Sequence, residues 1–336
     1  MMLKKYKFMR KSIKFNVLLT VMLFQSCSGG GGSIGNMTSN DQIVTSPSGN
    51  NIPTCSIYSS IENTQYCTVE INGLSREFYI YIPSTYSEYI SPVQILISLH
   101  GGGDYAEYNM QYSGFKEQAD QETFILIYPQ GSYYEEKSTT GWNTEDVNSD
   151  DVVFIKNIID WTLQNYNTQP SEVYASGFSN GGFMAYHLAC NLSADIAAIA
   201  PVAGLMGNYT YETCGPIHPT PLVHIHGQLD DSISIYGGDY HRPLEDNGNT
   251  VGTISYWKDI NQCTNFSQEN IFVNEINIGT YNIWTNCSNG ADINYRIIFN
   301  RGHEWDEGDK GESLNFDTSK VIWDFLKKFD INGIKN

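Results

Sequence analysis

One hexapeptide constrains this chain more than any other feature. Gly177-Phe178-Ser179-Asn180-Gly181-Gly182 stands between an apolar run at 173–176 and a segment of helical periodicity over 180–192. A chain passing from strand to helix in so few residues turns so sharply that neighbouring side chains would collide, hence the glycines at 177 and 181. Such a turn lifts the Ser179 hydroxyl above the strand end, and the helix N-terminus behind it favours developing negative charge. A glycine-rich turn with an incidental serine would look the same in isolation. The strand before and the helix after favour a nucleophile.

The surrounding pattern fixes the fold class. Short, mostly apolar runs recur at 93–99, 124–128, 173–176, 196–202, 222–226 and 295–299, spaced by helix-length segments. Runs of this kind predict parallel strands buried on both faces. Helices are expected over 151–166, with Val152, Ile155, Ile159 and Leu163 on one stripe and Asp150 as cap, over 180–192, and over 318–329. Earlier, Asn72-Gly73 separates two alternating segments, 67–71 and 76–82, a type I′ hairpin signal. The expectation is an α/β fold of the α/β-hydrolase kind: a mostly parallel central sheet, an N-terminal antiparallel hairpin and helices on both faces. One domain over 54–336 accounts for the pattern, and no repeats are visible.

A serine hydroxyl needs a base, and the base an orienting carboxylate, here in the order Ser, acid, His on loops after later strands. The run 222–226 leads into Gly227-Gln228-Leu229-Asp230-Asp231, which makes Asp230 the expected acid and Asp231 its reserve. The run 295–299 leads into Asn300-Arg301-Gly302-His303, and His303 is the only histidine after position 241. His100-Gly101-Gly102-Gly103 follows the run 93–99, and its glycines let backbone N–H groups approach a developing oxyanion. The expected donors are the amides of Asn180 and Gly102, with Gly103 as an alternative. His224 and His226 alternate on one strand as a metal pair would, but no third or fourth ligand is near in sequence, so no metal and no cofactor is expected.

The N-terminus carries an address. Residues 4–14 are basic and 15–24 mostly apolar, a run too short to span a bilayer, so 1–26 reads as an export signal. Cys27 follows directly, ahead of a Gly/Ser-rich tether to residue 53, and is a lipidation candidate. The protein is therefore expected outside the cytoplasm, as an outer-membrane or cell-surface lipoprotein or a periplasmic or secreted protein, touching membrane only through its N-terminus. Its charge is −18, from 19 basic and 37 acidic residues. Such a surface repels phosphate backbones, so nucleic acid is not an expected partner. In an oxidising compartment the six later cysteines suggest disulfides, with 15 connectivities open. Their spacing favours the local pairs Cys55–Cys67, Cys190–Cys214 and Cys263–Cys287.

The segments 99–103 (LHGGG), 141–143 (GWN) with 150–152, 177–182 (GFSNGG), 200–204 (APVAG), 224–230 (HIHGQLD) and 302–305 (GHEW) together resemble the polyhydroxybutyrate depolymerase / feruloyl esterase family of secreted serine esterases, including its lipoprotein-type members. The resemblance covers roughly 67–329. It implies an α/β-hydrolase fold, a triad of Ser179, Asp230 and His303, and the pairs Cys190–Cys214 and Cys263–Cys287. Departures at Asn143-Thr144, Asp231-Ser232 and Glu304-Trp305-Asp306 fall on loops expected to rim the cleft, and so touch the substrate more than the reaction.

Trp142 and Trp305 are candidates to line an aromatic-accepting cleft. A feruloyl, hydroxycinnamoyl or acetyl ester on a polysaccharide, or another short ester, is the expected substrate, and a monomer the expected state. No separate polymer-binding module is visible, which places hydroxyalkanoate or aromatic polyester oligomers behind these. A non-catalytic, glycan-binding surface lipoprotein on the same scaffold is the alternative of a different class.

Overall fold

The computed structural model describes residues 51–88, 90–248, 250–306 and 316–335. The export signal, Cys27 and nearly all of the tether lie outside the described residues. The chain enters through β1 (Thr54–Ile57), β2 (Thr64–Ile71) and β3 (Leu74–Tyr81), all antiparallel. Asn72 and Gly73 turn between β2 and β3 with φ of 52° and 81°, the positive pair that the Asn-Gly signal requires. β4 (Val93–Leu99), α1 (Ala106–Tyr112), α2 (Phe115–Glu122) and β5 (Ile125–Pro129) follow, then a small hairpin of β6 (Ser132–Tyr134) and β7 (Thr139–Gly141). The middle of the chain alternates α3 (Asp150–Asn165), β8 (Thr168–Phe178), α4 (Asn180–Asn191), β9 (Ile196–Val202), α5 (Asn208–Thr213), β10 (Leu222–Gly227) and α6 (Thr253–Asn261). It closes with β11 (Asn265–Val273), β12 (Ile276–Thr285), β13 (Ile293–Ile298), α7 (Thr318–Leu326) and the short pair β14 (Phe329–Asp330) and β15 (Gly333–Ile334).

Eleven of these strands form one sheet in the order β1-β2-β3-β5-β4-β8-β9-β10-β13-β12-β11. The six from β5 to β13 are parallel, and antiparallel strands flank them on both sides. Alternate residues feed two cores. Ile95, Ile97 and Leu99 pack with Phe154, Ile155, Met184 and Trp257 of α3, α4 and α6. Leu96 packs on the other face with Met110, Phe115, Ile322 and Trp323 of α1, α2 and α7. Both faces of the central strands are thus covered, which is why they read as continuous apolar runs. β4 has β5 on one side and β8 on the other, so the chain leaves the carboxyl ends of β4 and β8 in opposite directions. A crevice opens at that switch point.

Several expectations are corrected. Ser149, not Asp150, caps α3: its hydroxyl accepts from the Val152 N–H at 3.3 Å. Asp150 is the first helical residue and accepts from the Asn72 amide at 2.7 Å instead. α7 stops at Leu326 rather than at 329: the Lys327 and Lys328 N–H groups close the last turn on the Trp323 and Phe325 carbonyls, and Phe329 opens β14, its carbonyl accepting from the buried Tyr174 hydroxyl at 2.6 Å. The β11–β12 hairpin adds a second antiparallel flank that the sequence pattern did not signal. The three disulfides join the three sequence-local pairs, and Cys55 faces Cys67 in the β1–β2 register.

Candidate active site

The turn between β8 and α4 is built as its glycines demand. A Cβ on Gly177 would stand 2.3 Å from the Gly181 carbonyl oxygen, and one on Gly181 2.3 Å from that of Leu99. Neither position admits a side chain. Ser179 sits at φ 53° and ψ −118°, strained for a residue with a Cβ, and its N–H donates to the Val202 carbonyl of β9 at 2.8 Å. The strain aims its hydroxyl out of the sheet edge.

Two later loops close on that hydroxyl. His303, in the loop after β13, places Nε2 2.8 Å from Ser179 Oγ and Nδ1 2.8 Å from Asp230 Oδ2. Asp230 follows β10 and is buried, whereas Asp231 points to solvent and does not share the contact. The two loops are zipped together: the Gln228 N–H donates to the Ile298 carbonyl and the Leu229 N–H to the Arg301 carbonyl, each at 2.8 Å. Asp230 Oδ1 accepts from the N–H groups of Ser232 and Ile233 at 3.0 and 2.7 Å. Burial alone would raise the Asp230 pKa, but hydrogen bonds from His226, His303 and the Ile233 amide overcome it and hold the carboxyl well below its usual range. The Asp230 carboxylate is therefore charged in the folded protein at neutral pH. The Phe178 ring lies 4.9 Å from the imidazole and backs it.

The loop after β4 supplies the third wall. His100 is fully buried, and its Nδ1–H donates to the Gly101 carbonyl at 2.7 Å while Nε2 accepts from the Gly131 N–H at 2.9 Å. Burial pushes its pKa down to about 4, so the ring is a neutral brace. The Gly103 N–H donates to the Thr140 carbonyl at 2.8 Å, which removes it as an alternative oxyanion donor. Gly102 and Asn180 both line the cleft beside Ser179. The Asn180 side chain clamps the turn after β7, its Oδ1 accepting from the Trp142 N–H at 2.6 Å.

The cleft holds about 680 Å³ and is lined by Trp142, Tyr134, Phe183, Tyr209 and Tyr240 among others. Trp142 is only 4% exposed, and its indole N–H donates to the His100 carbonyl at 2.8 Å, so it fixes the glycine loop as well as lining the cleft. Trp305 does not line the cleft. Its ring packs against Tyr112, Phe115 and Phe178, behind the face that backs His303. His224 and His226 are buried with both ring nitrogens of each engaged by protein groups. The sequence motif set included Asp151 beside the Gly141-Trp142-Asn143 turn but gave it no role: it is a buried carboxylate that takes the Arg76 guanidinium at 2.7 Å and the Asn143 N–H at 2.7 Å, and so anchors the turn carrying Trp142.

The fold is that of an α/β-hydrolase, and the turn after β8 and the loops after β10 and β13 converge on one sheet edge. No family model matches the chain. It is similar to a bifunctional acetylxylan esterase/xylanase of Neocallimastix patriciarum, 28% identical over 266 residues that cover 78% of this chain and 34% of that protein. Feruloyl esterase B of Piromyces equi is 28% identical over 198 residues, 56% of this chain and 34% of the relative. Feruloyl esterase D of Neurospora crassa is 23% identical over 284 residues, 81% of this chain and 88% of the relative. The matched stretch thus spans about a third of the first two relatives. Among solved structures, an acetyl xylan esterase from Aspergillus awamori aligns with TM-score 0.57 at 15% identity, over 78% of this chain and 98% of that one. An S-formylglutathione hydrolase from Agrobacterium tumefaciens aligns with TM-score 0.50 at 12% identity, over 82% and 97%. At those identities the likeness is one of fold.

Proposed function

We propose that this protein is an exported serine carboxylic-ester hydrolase acting through an acyl-enzyme on acetyl or feruloyl esters carried by polysaccharide, or on comparable short esters. The carrying observation is the continuous contact from Asp230 Oδ2 through His303 to Ser179 Oγ, 2.8 Å at each step. His303 takes the Ser179 proton as Oγ attacks the ester carbonyl, and the imidazolium that forms is held by the charged Asp230. The amides of Asn180 and Gly102 receive the oxyanion; losing one such donor typically costs about 3 kcal/mol in the transition state. His303 then returns the proton to the leaving alcohol, and water releases the acyl group by the same steps. The acetylxylan and feruloyl esterase relatives support the substrate class, and three disulfides support an oxidising compartment.

Comparative kinetics on p-nitrophenyl acetate, methyl ferulate, acetylated xylan and a hydroxybutyrate oligomer test this reading. The expectation is hydrolysis of at least one of the first three, with the oligomer the poorest. Wild-type-level turnover by Ser179→Ala would sink it.

A further inference from the structure

Behind Asp230 lies a file of buried polar side chains that the proposed chemistry does not use. The His226 Nε2 stands 3.0 Å from Asp230 Oδ2 and 2.8 Å from the Ile233 carbonyl oxygen. His224 Nε2 lies 3.0 Å from His226 Nδ1, and the Tyr186 hydroxyl 2.9 Å from His224 Nδ1. Tyr186 and His224 are wholly buried and His226 is 1% exposed. The file crosses from α4, the helix that carries the nucleophile turn, to the end of β10, where the acid begins.

The direction of its hydrogen bonds is fixed. Among the described residues the Tyr186 hydroxyl has His224 Nδ1 as its one hydrogen-bond partner, and a buried O–H donates. His224 therefore accepts at Nδ1 and carries its proton on Nε2, consistent with burial pushing its pKa well down. That proton is donated to His226 Nδ1, which leaves the His226 proton on Nε2, donated to the Ile233 carbonyl with Asp230 Oδ2 3.0 Å from the same nitrogen. The series ends on the Ile233 carbonyl, with the polarised His226 Nε2–H held against Oδ2, the same carboxylate oxygen that accepts from His303 Nδ1.

We propose that Tyr186, His224 and His226 are positioning residues that draw charge from Asp230 Oδ2 and so weaken its hold on the His303 proton. The idea rests on the esterase reading. A carboxylate oxygen that also faces a second polarised N–H stabilises an imidazolium less than one serving His303 alone. Other charged or titratable groups nearby are His241, its pKa lowered by burial and its Nε2 on the Ser234 carbonyl, the exposed Asp231, and Arg301 with its partners Glu304 and Asp306. None of them changes in the variants below.

The test is the pH profile of kcat/KM for p-nitrophenyl acetate in wild type, His226→Leu, His226→Gln and Tyr186→Phe, each shown folded by its thermal melt. The acid limb reports protonation of the base. In His226→Leu it should rise by about half to one pH unit, a roughly three- to tenfold loss at the foot of the limb. Tyr186→Phe should shift it the same way by less, and His226→Gln, which keeps an N–H donor on that side chain, should restore it. A file that merely props the acid loop would lower kcat at every pH, and a loosened Asp230 would move the limb down; either result, or an unmoved limb in Tyr186→Phe, overturns the proposal. Titrating the His303 ring protons by NMR reads the same shift without turnover. A wild type that hydrolyses nothing would sink the esterase reading while this measurement still decides on the file.

Discussion

Ser179, Asp230 and His303 were legible as residues because each follows an apolar strand on a short loop, and strand order in this fold brings those loops together. The choice between Asp230 and Asp231 was not legible. It is made by an Asx-type turn in which Oδ1 of Asp230 takes two backbone N–H groups, turning Oδ2 toward His303. Asp230→Asn should therefore lower kcat by about 10⁴-fold, since an amide can leave the imidazole in the wrong tautomer. Asp231→Asn should stay within about twofold, as expected for a surface change. Steady-state kinetics of the two variants separate them. Trp305 shows the limit of residue-level reading. An aromatic on a loop beside the base suggested a cleft wall, but whether such a ring faces ligand or core depends on the partners it meets, here Tyr112, Phe115 and Phe178.

At the scale of elements, the buried strands were readable because both of their faces are apolar, while β11 was not, because most of its residues face solvent at the sheet edge. Its polar sequence carries no period-2 signal. The pairing of Arg76 with Asp151 was equally hidden, as the two lie 75 positions apart on β3 and α3. That pair fastens the first turn of α3 to the sheet and, through the Asn143 amide, to the turn bearing Trp142. Both partners are almost fully buried, so removing one leaves an uncompensated charge. Arg76→Met should cost about 3 kcal/mol of unfolding free energy, read from the midpoint of a urea transition. A loss below about 1 kcal/mol would mean the pair contributes little to holding these elements.

Across the whole molecule, buried neutral histidines link stability to pH. His100, His187 and His224 all have pKa values depressed by burial, His100 to about 4. The unfolded chain takes up these protons near pH 6.5 while the folded chain does not, so stability is full above that pH and falls as the solution is acidified toward the folded pKa. His100 alone should remove about 2 kcal/mol between pH 7 and 5, with the other two adding in the same direction. Urea titrations at a series of pH values check this, and a flat profile over that window would contradict the burial of these histidines as neutral rings. The central claim is narrower: one activated serine sits at the convergence of three loops. Its most direct test is labelling of the folded protein with a fluorophosphonate, followed by peptide mapping. The account predicts a single adduct on Ser179, lost in His303→Ala and on unfolding. Ester hydrolysis that persists while Ser179 stays unlabelled, or an adduct on another residue, would contradict it.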